Sequence, residues 1–85
     1  MDPLSGIAVF TAVADAQSFT QAAKRLGMSK SSVSKSVTRL EARLGARLIN
    51  RTTRRLSLTE VGRAFHQRCS RIVEEAEAAE LAVNH

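Results

Sequence analysis

The chain has no tryptophan and no tyrosine, and only three phenylalanines, one proline and one cysteine. Without aromatic bulk a core has to be made mainly of Leu, Val, Ile and Ala, which suits a small helical bundle. The single cysteine, Cys69, excludes a disulfide within one chain. No apolar run approaches the roughly 18 residues of a membrane span, and the N-terminus lacks a basic segment followed by an apolar one, so the expectation is a soluble, cytoplasmic protein with no membrane partner. At 85 residues there is little room for an enclosed substrate pocket, which argues against an enzyme. His66 and Cys69 lie three apart on one helix, but two ligands do not make a metal site. Ser31, Ser32 and Ser34 have no His or acidic partner nearby in sequence to activate a hydroxyl. No metal, cofactor or catalytic residue is expected.

What the chain has is positive charge, unevenly placed. The net charge is +5 overall, zero over residues 1–28, +8 over residues 29–68 and −3 over residues 69–85. A basic excess confined to the middle of a small domain is the pattern of a surface that displaces counterions from a phosphate backbone. The acidic tail points to another protein surface.

Apolar periodicity divides the chain into helices. Asp2-Pro3 supplies an N-cap and a proline at the first helical position, and Leu4, Ile7, Phe10 and Ala14, with Val9 and Val13 beside them, predict a buried face on a helix ending near Gln17. Ser18 and Gln21 have capping-box spacing, so a second helix starts at Phe19 or Thr20 and runs to Leu26, where Gly27 ends it. Ser29 caps a third helix whose stripe is Val33, Val37, Leu40 and Leu44, with Gly45 turning the chain. At about 100° per residue, Ser31, Ser34, Lys35, Thr38 and Ala42 fall on its opposite side. Two short helices joined by a tight turn, the second presenting hydroxyls and a cation, form a helix-turn-helix suited to the major groove.

From Arg47 to Leu58 the pattern changes. Leu48-Ile49, the basic run from Asn50 to Arg55, and the alternation of Leu56, Ser57 and Leu58 predict a two-stranded hairpin with a basic tip. Beyond a three-helix core, such a hairpin is a wing, and its arginines suit phosphates or a narrow minor groove. Thr59-Glu60 then opens a long helix. Phe65, Cys69, Ile72, Ala76, Ala79 and Val83 repeat on it at steps of four, three, four, three and four, the seam of a coiled coil. The distal stripe needs a partner, most simply the same helix of a second chain, and the small Ala76 and Ala79 let two backbones approach.

Three blocks occur in order: F-x-A-V-A-x-x-x-S-F-T-x-A-A-x-R-L at Phe10 to Leu26, S-x-S-S-V-S-K-x-V-x-R-L-E at Ser29 to Glu41, and L-I-N-R-T-T-R-R-L-x-L-T-E-x-G at Leu48 to Gly62. Together they resemble the N-terminal DNA-binding domain of LysR-type transcriptional regulators. The resemblance implies DNA contacts from Lys30, Ser31, Ser34 and Lys35, phosphate contacts from Thr38, Arg39, Arg51 and Arg55, and a minor-groove arginine at Arg54. It also implies a dimer through the final helix, and an effector-sensing domain, absent from these residues, that would take the small-molecule effector. Many members have Gln-Pro or Gln-Ser where this chain has Lys30-Ser31; Gln commonly reads adenine, whereas Lys prefers guanine acceptors or a phosphate, so base preference at Lys30 does not carry over.

The expectation is therefore a mainly α winged helix-turn-helix over residues 1–58, with a three-helix core and a two-stranded wing, followed by a linker and dimerisation helix over residues 59–85. Its function would be sequence-specific binding of double-stranded DNA in transcriptional regulation. The alternative from the same residues is a non-catalytic adaptor that dimerises through its last helix and holds an acidic protein on its basic face. An RNA binder would usually offer aromatic residues for stacking, and all three Phe here fall at core positions.

Overall fold

The computed structural model describes residues 3–51 and 55–84. Helix α1 spans Pro3–Ala16, α2 Phe19–Leu26, α3 Lys30–Leu44 and α4 Glu60–Val83, with strands β1 at Ile49–Asn50 and β2 at Ser57–Leu58 between α3 and α4. The strands pair antiparallel, Ile49 opposite Leu58 and Asn50 opposite Ser57. The predicted tip residues Thr52, Thr53 and Arg54, and the Asp2 cap, lie outside the described residues.

The local signals act as the sequence implies. Ser18 Oγ accepts the N–H of Gln21, Ser29 Oγ that of Ser32, and Thr59 Oγ1 that of Gly62, so each of these helices begins with an orphan donor satisfied by a hydroxyl. Gly27 and Gly45 end α2 and α3 at φ of 65° and 67°, a left-handed conformation that costs glycine nothing.

Helix α1 is the centre of the bundle, packed by α2, α3 and α4. Val9, Phe10, Thr11, Val13 and Ala14 are all buried, a face wider than one stripe because neighbours approach from several sides. Thr11 satisfies its hydroxyl by donating to the Ile7 carbonyl at 2.8 Å. Ala22, Ala23, Val33, Val37, Leu40, Leu48 and Ile49 complete the core with Cys69. Two expected core positions are not in it. Leu4 is 60% exposed and Leu44 41%, because each stands at the end of its helix, where the apolar stripe has run past the elements that cover it.

The proximal part of α4 belongs to this core. Phe65 packs on Phe10 with ring centroids 5.6 Å apart, and Cys69 is completely buried. Expectation and structure part here: the repeat placed Cys69 on a seam between two chains, but the domain itself already encloses it. Burial pushes the Cys69 thiol above its ordinary pKa, partly offset by a hydrogen bond with Thr11. Further along, every residue from Glu74 to Asn84 is exposed, and α4 extends the molecule to 45 Å by 24 Å by 24 Å.

Candidate nucleic-acid interface

Helix α3 is held by Val33, Val37 and Leu40 against the core, so its other side is set outward by geometry alone. Lys30, Ser31, Lys35, Thr38 and Arg39 are exposed, and Ser34 is half-buried between them and the stripe. The side chains on this face are short or end in a cation, which lets the helix backbone come close to a flat or grooved partner.

The wing stands beside the start of α3. Lys30 and Arg55 line one open cavity of about 580 Å³ together with Gln17, Ser18, Phe19 and Thr20 from the α1–α2 turn and the start of α2. Tertiary structure thus joins three segments separated in sequence: the N-terminus of α2, the N-terminus of α3 and the flank of the wing. Lys30 and Arg55 both border this cavity, which lies at the N-terminal end of α2. Arg54 lies outside the described residues.

Arg51 is turned toward the fold. Its guanidinium lies 3.5 Å from Glu41 Oε1 and 5.4 Å above the centre of the Phe19 ring. Glu41 itself is 7% exposed. Its Oε2 accepts the N–H groups of Leu48 and Ile49 at 2.8 and 3.1 Å, joining the last turns of α3 to the first strand of the wing. Sequence reasoning took Glu41 as a negative charge in a basic segment and as the end of the second block, and gave it no structural role; the available signal was a carboxylate adjoining the apolar stripe at Val37 and Leu40.

A second polar link ties α4 to α1. His66 Nε2 and Asp15 Oδ1 stand 2.8 Å apart, Ser70 Oγ is 3.3 Å from the same nitrogen, and the His66 ring meets Phe10 edge-on at 6.2 Å. The hydroxyl and the carboxylate share one imidazole nitrogen rather than flanking the ring, so they do not form a hydrolytic triad. The contact links α4 to the C-terminal end of α1.

Among the expected pairing residues, Phe65 and Cys69 are taken up by the domain's own core, while Ile72 is 42% and Val83 84% exposed and Ala76 and Ala79 are also exposed. The stripe available to a partner is therefore the distal half of α4, and Leu81, 70% exposed, stands alongside it.

The family profile described as "Bacterial regulatory helix-turn-helix protein, lysR family" matches residues 4–63, covering α1, the helix-turn-helix, the wing and the start of α4. The chain belongs to the lysR family. An HTH-type transcriptional regulator of Xanthomonas campestris pv. campestris is 50% identical over 80 residues, 94% of this chain and 23% of that protein. Among solved structures, the crystal structure of the BenM DBD/catB site 1 DNA complex superposes with a TM-score of 0.89 at 28% identity, covering 99% of this chain and 93% of that one. The structure of CrgA, a LysR-type transcriptional regulator from Neisseria meningitidis, is 47% identical with a TM-score of 0.75, over 93% of this chain and 27% of CrgA. This lysR-family chain spans about a quarter of the length of the curated relatives it matches.

Proposed function

We propose that this lysR-family chain binds double-stranded DNA in a sequence-specific manner as a homodimer, with α3 in the major groove and the wing over the adjacent minor groove. The observation that carries this reading is the convergence of the α3 face with the wing: Lys30, at the start of α3, and Arg55, on the wing, line one cavity, and Lys35, Thr38 and Arg39 continue the same exposed polar side of the helix. The likeness to the BenM DBD/catB site 1 DNA complex supports the same use of the fold.

In this reading Ser31, Ser34 and Lys35 face base edges, Lys30, Thr38, Arg39 and Arg55 face bases or phosphates, and Arg54 enters the minor groove. Arg51, held by Glu41, stands apart from this set. The distal half of α4 pairs two chains through Ile72, Ala76, Ala79 and Val83. Two-fold pairing calls for a pseudo-palindromic site with half-sites separated by about one helical turn or a multiple of it. A small-molecule effector belongs, in this reading, to a domain beyond these residues.

Selection of binding sites from a random duplex pool tests the proposal directly. The expected result is a recurrent two-fold motif with fixed half-site spacing. A pool that shows only salt-dependent retention without enrichment would sink it in favour of a purely electrostatic surface.

A further inference from the structure

Glu41 uses its two oxygens for different tasks. Oε2 is occupied by the Leu48 and Ile49 N–H groups. Oε1 is buried, receives no hydrogen bond, and faces the guanidinium groups of Arg51 at 3.5 Å and Arg47 at 3.6 Å. The Arg47 side chain is 67% exposed, whereas that of Arg51 is 33% exposed and lies over Phe19. Phe19 also lines the cavity shared by Lys30 and Arg55, so Arg51 is at the edge of the candidate interface yet engaged inward. A carboxylate removed from water attracts a neighbouring cation far more strongly than an exposed one does, and releasing that cation would leave the carboxylate buried and less compensated.

We propose that Glu41 is a specificity-determining residue that withholds Arg51 from DNA phosphates. Sequence-independent attraction to DNA grows with the number of phosphates a protein neutralises. A cation committed to an internal carboxylate adds nothing to that background, and specificity is the difference between the wanted and the unwanted complex. Glu41 thereby couples two functions in one side chain: it attaches the wing to α3 and it limits how many of the wing's cations are available to any duplex. The inference rests on the DNA-binding reading above.

The test is the salt dependence of binding to a mixed-sequence duplex lacking the selected motif, measured by fluorescence anisotropy. Glu41→Gln keeps an amide oxygen that accepts the Leu48 and Ile49 N–H groups while removing the charge. The expected slope of log K against log salt is the same for wild type and Arg51→Met, steeper by about 0.9 per chain in Glu41→Gln, and back near wild type in the double variant. A slope shallower by about 0.9 in Arg51→Met alone, or a wild-type slope in Glu41→Gln, overturns the proposal. If Glu41→Gln does not fold, Arg51→Met alone decides: an unaltered slope supports the withholding of Arg51 and a drop refutes it. Wild-type protein that shows no salt-dependent duplex binding would instead bring down the DNA-binding reading, and this inference with it.

Discussion

A β-carbon placed on Gly62 would overlap the carbonyl oxygen of Leu48. That oxygen also accepts the Thr59 N–H at 3.0 Å, so the start of α4 is seated directly on the chain entering the wing. Because the obstacle is backbone on both sides, Gly62→Ala can be accommodated only by moving α4 or β1. Overpacking of this kind costs about 1–3 kcal/mol or more. Urea denaturation should show the loss, and a midpoint equal to wild type would mean that the junction is looser than this packing implies.

Thr59 makes the same junction from the polar side. Its hydroxyl donates to the Arg47 carbonyl at 2.6 Å and accepts the Gly62 N–H at 2.9 Å. Thr59→Ala removes a helix cap together with that tie and should lower stability by about 1–2 kcal/mol. Thr59→Ser should restore most of it, since only the hydroxyl is needed; equal stability of the Ala and Ser variants would contradict the capping role.

Lys35 projects from the exposed side of α3. If it reads a base edge, Lys35→Ala weakens binding to the selected duplex by about 1–3 kcal/mol and relaxes preference at one base pair; if it touches phosphate only, it lowers the salt slope by about one. Equilibrium titrations at two salt concentrations distinguish the cases. Wild-type affinity together with a wild-type slope would remove Lys35 from the interface.

Ala76 and Ala79 lie on the exposed half of α4, well away from the core. If the distal half of α4 pairs two chains as proposed, replacing both by Glu leaves the fold of the protomer intact and halves the mass seen in sedimentation equilibrium, because like charges would meet across a close helix pair. A dimer that survives the double substitution would have to be held together elsewhere.

Cys69 is buried and its thiol pKa is raised, with loss of hydration as the larger cause. Folding therefore disfavours the thiolate. The sign follows: the unfolded chain gives up this proton first, so stability falls as pH rises through the ordinary thiol range of about 8.5 toward the raised folded value, and is unaffected well below it. Alkylation of native protein near neutral pH should be slow and should accelerate in urea. A fast native reaction would show that α4 lifts readily from the core.

Local chemistry was legible from residue order alone. Caps at Ser18, Ser29 and Thr59, left-handed glycines at positions 27 and 45, the Val33–Val37–Leu40 stripe and the pairing of Ile49–Asn50 with Ser57–Leu58 all depend on nearby residues, and all formed where periodicity and turn chemistry placed them. The polar side of α3 was equally legible, since burying one stripe of a helix leaves the opposite one outward. Tertiary packing alone decided the rest. It drew Phe65 and Cys69 into the domain, because a seven-residue repeat does not say whether the surface it meets belongs to the same chain or another. It also turned Glu41 and Arg51 toward each other across the α3–wing junction, since a buried charge is tolerated only where an opposite charge and backbone donors are brought to it by the fold.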